Sequence, residues 1–321
     1  MTERVYTFGS HRGLVGILSE PATGALRPGA PAIVFSNIGL NHRVGPNRLY
    51  VELARKLAPV GFRSLRFDLS GFGDSEPRRG GGSDLDRAIL DTREAMDFLE
   101  RRGVNRFVLV GLCSGADVAH RCTLKDRRIV GAIHIDGYAY PNPSFWLRHL
   151  TIRYLQPARW RRFARVRLAR LIRQVPFREL DDLPEVFVVD VPPREQFTAD
   201  LETLTERGVK LLFVYTTQMD CEYNYRNQFH DTFGYRDEID VEFYPNADHV
   251  FSTEPQREMV LSRVVDWIDR QFLAGANTSE TSASMPSRKA TMSAVYFVGP
   301  AAMIGVTRML KFFAESNVLS V

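Results

Sequence analysis

The sequence predicts an α/β protein with a mostly parallel, twisted sheet that carries helices on both faces. Short apolar runs rich in Val, Ile, Leu and Phe alternate with amphipathic segments through the first 136 residues. Apolar strands without polar alternation are typical of parallel sheets covered on both faces. The chain has 321 residues, of which 44% are hydrophobic, so it can bury a substantial core.

The N-terminal elements follow from local patterns. Residues 4–10 and 13–19 predict the two strands of an opening hairpin around Gly9 to Gly13. Residues 31–35 form a short apolar run, which we expect to be a buried strand. A helix over 47–59 is indicated by apolar residues that recur at helical spacing, namely Leu49, Leu53, Ala54 and Leu57.

The later core elements continue this alternation. A strand at 63–67 ends in the Gly-rich segment 68–75, and Ser83 can cap the helix expected over roughly 84–102. Further strands are predicted at 106–112, 129–135, 209–215 and 239–244, with helices at 115–125, 198–207 and 255–273.

The alternation breaks at residue 137. Residues 137–178 contain ten arginines, no lysine and no acidic residue, whereas residues 179–206 contain nine acids and one arginine. Apolar residues keep a helical period in the arginine-rich part, at Trp160, Phe163, Ala164, Leu168 and Leu171. We therefore predict a helical cap inserted at 137–192, which divides the core into residues 1–136 and 193–274.

Composition excludes several classes of protein. The three cysteines are too few for a disulfide framework, and no Cys/His spacing suggests a metal site, so we expect no metal and no cofactor. No stretch of about 20 uninterrupted apolar residues is present, and the N-terminus lacks the apolar run of a signal peptide. We expect a cytoplasmic protein, with residues 275–321 as a polar linker and a C-terminal tail.

The most informative motif is Gly-Leu-Cys-Ser-Gly at residues 111–115, between an apolar strand and a helix. It fits Gly-x-Nu-x-Gly, the nucleophile elbow, in which the residues two before and two after the nucleophile must be small. Cys113 satisfies this condition, because its flanking positions are glycines. Ser114 does not, because Leu112 would then occupy a position that needs a small residue. We therefore predict Cys113 as the nucleophile.

A nucleophilic cysteine needs a base, and the base needs an acid that orients it. His249 follows the last predicted strand, and Asp220 follows the strand at 209–215. Because the carboxyl ends of parallel strands meet at one edge of the sheet, we expect Cys113, His249 and Asp220 to converge there. Two further acids are candidates for the same role: Glu222, and Asp248, which adjoins the histidine and is expected to point away from it.

The residues at 68–75, 111–115, 220 and 246–249 together resemble the α/β-hydrolase superfamily over roughly residues 5–273. Residues 37–50 and the arginine-rich cap are also similar to hydrolases encoded near bacterial polysaccharide-export and natural-product clusters. The departure is cysteine instead of serine at the elbow, which also occurs in dienelactone hydrolases and polyhydroxyalkanoate synthases. The resemblance implies an α/β-hydrolase fold.

The resemblance also implies covalent acyl chemistry. His249 takes the thiol proton, the Cys113 thiolate attacks an acyl carbonyl, and the oxyanion is held by the Ser114 N–H with a second donor from Ile38 or Gly39. Water then completes a hydrolase reaction on an ester or thioester, whereas an amine or alcohol completes an acyltransferase reaction. A catalytically inactive binding protein on the same scaffold is the third hypothesis.

The cap predicts how a substrate is received. We expect it to roof an apolar acyl pocket lined by aromatic residues, namely Tyr138, Tyr140, Phe145 and Trp146. Its arginines either pair with the acidic segment at 179–206 or dock an acidic acyl carrier protein, coenzyme A or anionic lipid. We expect no nucleic-acid partner, because no recognition fold accompanies the positive charge.

Overall fold

The computed structural model describes residues 1–37, 41–78, 82–154, 191–216 and 222–272. Eight strands are found in these residues: β1 (Thr2–Phe8), β2 (Leu14–Glu20), β3 (Ala32–Ser36), β4 (Ser64–Phe67), β5 (Phe107–Leu112), β6 (Ile129–Ile135), β7 (Lys210–Thr216) and β8 (Ile239–Tyr244). The helices described are α1 (Leu49–Leu57), α2 (Asp84–Glu100), α3 (Ser114–Lys125), α4 (Pro143–Tyr154), α5 (Arg194–Glu206), α6 (Gln228–Phe233) and α7 (Glu254–Phe272).

The eight strands form one sheet in the order β1-β2-β4-β3-β5-β6-β7-β8. β1 pairs antiparallel with β2, and β2 pairs antiparallel with β4, which confirms the opening hairpin. The strands from β4 through β3 to β8 are parallel. The predicted α/β fold, with a mostly parallel sheet, is therefore confirmed.

Helices cover both faces of the sheet. Alternate residues of β5 serve opposite faces: Val108 and Val110 pack with residues of α1 and α7, whereas Leu109 packs with residues of α2 and α3. A third apolar cluster, around Phe197 and Phe213, joins α5 to β7. Because both faces are covered, the central strands are apolar without alternation, which is the pattern that the sequence displays.

The predicted cap is only partly within the described residues. Its first helical segment is α4, whereas residues 155–190 lie outside the described residues, as does the tail at 275–321. The domain boundaries therefore stay predictions. Among the described residues, no helix is both long enough and apolar enough to span a membrane.

The turn between β5 and α3 is built on close contact between backbones. Cys113 lies at its apex with φ 54° and ψ −122°, a conformation that L-residues rarely adopt. A Cβ atom on Gly111 would lie 2.1 Å from the Gly115 carbonyl oxygen, and one on Gly115 would lie 2.6 Å from the carbonyl oxygen of Asn37. The helix can therefore begin directly after the strand only because both positions are glycine, which is the steric condition that the motif predicts.

We expect Gly115→Ala to destabilise the protein by about 1–3 kcal/mol, because the added methyl group meets backbone atoms of β3 that cannot rotate away. Urea unfolding of the variant measures this loss. Gly13→Ala is the matched control, since its added methyl group first meets the side chain of Glu76, at 3.3 Å. Equal stability of wild type and Gly115→Ala would contradict the close packing described for this turn.

Candidate active site

Four residues converge where the central parallel strands end. Cys113 follows β5, Asp136 follows β6, Thr216 ends β7, and His249 lies in the loop after β8. These strands are neighbours in the sheet and run in the same direction. The carboxyl edge of such a sheet is where α/β folds place their ligand and catalytic groups.

His249 contacts both a carboxylate and the predicted nucleophile. Its Nδ1 lies 2.8 Å from Oδ2 of Asp136, and the side chains of His249 and Cys113 lie within hydrogen-bonding range of each other. The hydrogen bond to Asp136, and next the one to Cys113, raises the pKa of His249 to about 10, although burial acts to lower it. Since Nδ1 is engaged by Asp136, Nε2 is the nitrogen left to exchange a proton with the thiol.

Asp136 is held firmly in this position. Its side chain is fully buried, and its carboxylate accepts hydrogen bonds from Thr216 N at 2.7 Å and from Thr216 Oγ1 at 2.6 Å. Its own N–H donates to the Val214 carbonyl oxygen at 2.8 Å, and its φ is 45°. The bend after β6 thus turns the carboxylate across the end of β7 and towards His249.

The carboxylate that contacts His249 is therefore Asp136, which follows β6. The sequence assigned this role to Asp220, which follows β7. Asp220 itself lies outside the described residues. Glu222 is exposed, and Asp248 accepts hydrogen bonds from the N–H groups that follow it in its own turn, so it points away from the histidine as expected. Asp136 was missed, although an Asp-Gly pair directly after a predicted strand is a signal that could have identified it.

The predicted oxyanion donors are only partly described. Ser114 is the first residue of α3, so its backbone N–H lies at the positive end of a helix, where an anion is favoured. Ile38 and Gly39 lie outside the described residues. Asn37, which precedes them, is buried beside the elbow, with its carbonyl oxygen against Gly115.

A buried carboxylate fixes the next part of the loop that follows β3. Asp68 Oδ1 accepts a hydrogen bond from Arg43 N at 2.6 Å, and its other oxygen forms an ion pair with the Arg43 guanidinium. The same carboxylate accepts from Asp74 N at 3.1 Å, so it also holds its own Gly-rich loop in place. Asp68 therefore joins the loops that follow β3 and β4.

The predicted pocket residues occupy two environments. Tyr138 and Phe145 are buried: the Tyr138 hydroxyl donates to Asp117, and Phe145 packs against Trp146. Tyr140 is partly buried, and its hydroxyl donates to the carbonyl oxygen of Pro192 at 2.8 Å. Trp146 is partly exposed on α4. A role of these four side chains in substrate binding stays a prediction.

Two groups near the elbow serve as packing. His134 is buried in β6, with Nδ1 3.2 Å from the Ala116 carbonyl oxygen, and burial lowers the pKa of His134 to about 3. Cys122 is buried on α3, where burial raises the pKa of its thiol to about 12. Both groups are therefore neutral at physiological pH and contribute to the core.

Comparisons with known proteins place this chain in a family. The family model described as "Serine aminopeptidase, S33" matches residues 32–216, more than half of the chain. A search of curated proteins gives no match.

Solved structures share the fold at low identity. A putative hydrolase from Agrobacterium vitis S4 is 16% identical with a TM-score of 0.51, and the match covers 83% of this chain and 98% of that one. The α/β hydrolase GrgF from Penicillium sp. sh18 is 16% identical with a TM-score of 0.50, covering 84% and 98%. A putative α/β hydrolase from Agrobacterium tumefaciens is 14% identical with a TM-score of 0.50, covering 87% and 100%.

These likenesses agree with the mostly parallel sheet. The chain therefore belongs to the hydrolase family described as serine aminopeptidase S33, within the α/β-hydrolase superfamily.

Proposed function

We propose that this protein is an acyl hydrolase that cleaves esters or thioesters through a covalent intermediate on Cys113. The observation that carries the proposal is the arrangement at the carboxyl edge of the sheet. Cys113 lies at the apex of a strained elbow, in hydrogen-bonding range of His249, and His249 is held on its other nitrogen by the buried Asp136. The nucleophile contacts the base, and the base contacts an acid that orients it, which is the arrangement that covalent catalysis needs.

The first half of the reaction forms the acyl-enzyme. His249 Nε2 accepts the thiol proton, and the Cys113 sulfur attacks the acyl carbonyl carbon. The carbonyl π electrons move to oxygen, where the N–H of Ser114 and a donor from Ile38 or Gly39 hold the oxyanion. When the oxyanion collapses, the bond to the leaving group breaks, and His249 returns the proton to the departing alcohol or thiol.

The second half releases the product. His249 takes a proton from water, the water oxygen attacks the thioester carbon, and collapse of the new oxyanion expels the Cys113 sulfur. The product is a free carboxylic acid, and the thiol and imidazole are regenerated. A reducing cytoplasm suits this chemistry, because Cys113 has to remain a thiol between turnovers.

A thiol nucleophile favours thioesters among the possible substrates. The attacking and leaving sulfurs are then of similar basicity. The tetrahedral intermediate can therefore expel the leaving thiolate without strong protonation by an acid. A thioester on coenzyme A or on an acidic carrier protein is accordingly the substrate form that we propose. The arginines expected to receive such a carrier, between 159 and 178, lie outside the described residues.

Cys113→Ala should reduce turnover of p-nitrophenyl esters and acyl thioesters by at least about a thousandfold, because no acyl-enzyme can form. Cys122→Ala, a change of the buried cysteine on the adjacent helix, is the matched control and should retain activity. Intact-protein mass spectrometry should detect an acyl adduct that is absent from Cys113→Ala. Activity that survives Cys113→Ala but is lost in Ser114→Ala would mean that the nucleophile has been misassigned.

The same assay separates hydrolysis from acyl transfer. With an amine or alcohol present as acceptor, a hydrolase yields the free acid at an unchanged rate. Formation of the acylated acceptor at the expense of free acid would identify an acyltransferase instead, which would use the same acyl-enzyme on Cys113. An absence of any turnover and of any adduct would favour a binding protein and would reject the proposed function.

The raised pKa of His249 also predicts a pH dependence of stability. A histidine whose pKa is about 10 in the folded protein and about 6.5 when unfolded binds its proton more tightly in the folded state. Its stabilising contribution is therefore fully present below about pH 6.5 and is lost as the pH rises through about 10. The difference in the free energy of unfolding between wild type and His249→Gln should shrink over this range.

Chemical unfolding at a series of pH values measures this difference. Repeating the comparison in the Asp136→Asn background is the control, because Asp136 is the largest cause of the raised pKa. Most of the pH dependence should then disappear. A difference between wild type and His249→Gln that stays constant from about pH 6.5 to about 10 would contradict the charged pair inferred here.

A further inference from the structure

Thr216 is the last residue of β7 and is fully buried. Its backbone N–H binds Oδ1 of Asp136, and its hydroxyl binds Oδ2. Oδ2 is also the oxygen that contacts His249 Nδ1. One threonine therefore engages both oxygens of the carboxylate and shares one of them with the histidine.

We propose that Thr216 is a positioning residue, whose hydroxyl holds the Asp136 carboxylate in place and directed at His249. This inference rests on the proposed function, because it assigns Asp136 as the acid that orients the base. The Asp136 side chain is fully buried, and its hydrogen-bond donors are Thr216 N, Thr216 Oγ1 and His249, among the residues that the structure describes. A buried carboxylate stays charged only when such donors replace the water that it has lost.

The backbone explains why the hydroxyl lies at this point. Asp136 donates its N–H to the Val214 carbonyl oxygen, so the residue after β6 is tied to β7. Thr216 pairs with Tyr244, the last residue of β8, which leads into the loop that carries His249. Thr216 thus lies between the strand that presents the acid and the strand that presents the base.

Few other charges act on this carboxylate among the described residues. His249 faces it from the loop after β8, with Cys113 beyond the imidazole. Burial, with the charge of Asp136 among its neighbours, raises the pKa of Tyr215 on β7. The Tyr215 hydroxyl donates a hydrogen bond to the Tyr138 carbonyl oxygen. No arginine or lysine of the described residues forms an ion pair with Asp136, so without the hydroxyl only Thr216 N and His249 remain as its described hydrogen-bond partners.

The test is Thr216→Val, which removes the hydroxyl and keeps the shape of the side chain. Without this donor, the Asp136 carboxylate is held by one hydrogen bond fewer, and the hydrogen bond that orients His249 is then weakened. We expect kcat to fall about tenfold with little change in KM. Because the contact with Asp136 raises the pKa of His249, weakening this contact should lower that pKa, and the limb of the pH profile that His249 governs should move down by about one pH unit, which corresponds to the loss of one hydrogen bond to a charged group.

A second measurement does not depend on turnover. Iodoacetamide alkylates the thiolate form of a cysteine, so the rate at which it labels Cys113 depends on the pH and on the charge of the neighbouring His249. The pH dependence of this labelling rate should also be displaced in Thr216→Val. Thr216→Ser restores the hydroxyl and should return both profiles to those of the wild type.

The controls separate positioning from damage to the fold. Thr92→Val removes another fully buried hydroxyl, whose bond is to the Ala88 carbonyl oxygen on α2, and it should leave both pH profiles in place. In the Asp136→Asn background, Thr216→Val should add no further shift. Unshifted pH profiles in Thr216→Val, or an equal shift in Thr92→Val, would overturn the inference about Thr216. The proposed function would still hold in that case if Cys113→Ala loses activity.

Discussion

The close approach of three backbones at the elbow is the constraint on which the rest of the site depends. Gly111, Gly115 and the end of β3 are packed so tightly that a single Cβ atom would overlap with carbonyl groups. This packing allows α3 to begin immediately after β5, and it holds Cys113 at φ 54°. The strain is supported by a sheet whose central strands are buried on both faces, so the conformation is fixed before any ligand arrives.

The second constraint is the buried charge of Asp136. A carboxylate removed from water is costly unless donors and an opposite charge surround it. Here β7 supplies two donors through Thr216, and the loop after β8 supplies His249. The sheet order makes this possible, because β6, β7 and β8 lie side by side and end at the same edge. The residues of the site are thus positioned by the order of neighbouring strands more than by any single loop.

The sequence predicted the sheet, the opening hairpin and the elbow because each depends on local spacing, such as the two glycines around Cys113. It predicted His249 from its place after the last strand. It did not predict Asp136, because an acid after β6 and an acid after β7 both project from the same edge of a parallel sheet. The choice depends on the left-handed backbone of Asp136, at φ 45°, and on its bonds to Thr216, which no sequence pattern records. The short helix α6 was also missed, since six residues carry too little periodicity.

The proposed use of cysteine has a consequence for the base. Two contacts raise the pKa of His249: the one to Asp136, and then the one to Cys113. In the proposed mechanism, acylation of Cys113 removes the second contact, while the buried Asp136 remains in place. The pKa of the imidazole then falls from its raised value, so that more of His249 is the neutral base in the acyl-enzyme than in the resting enzyme. His249 is therefore a better proton acceptor at the step in which water must lose a proton.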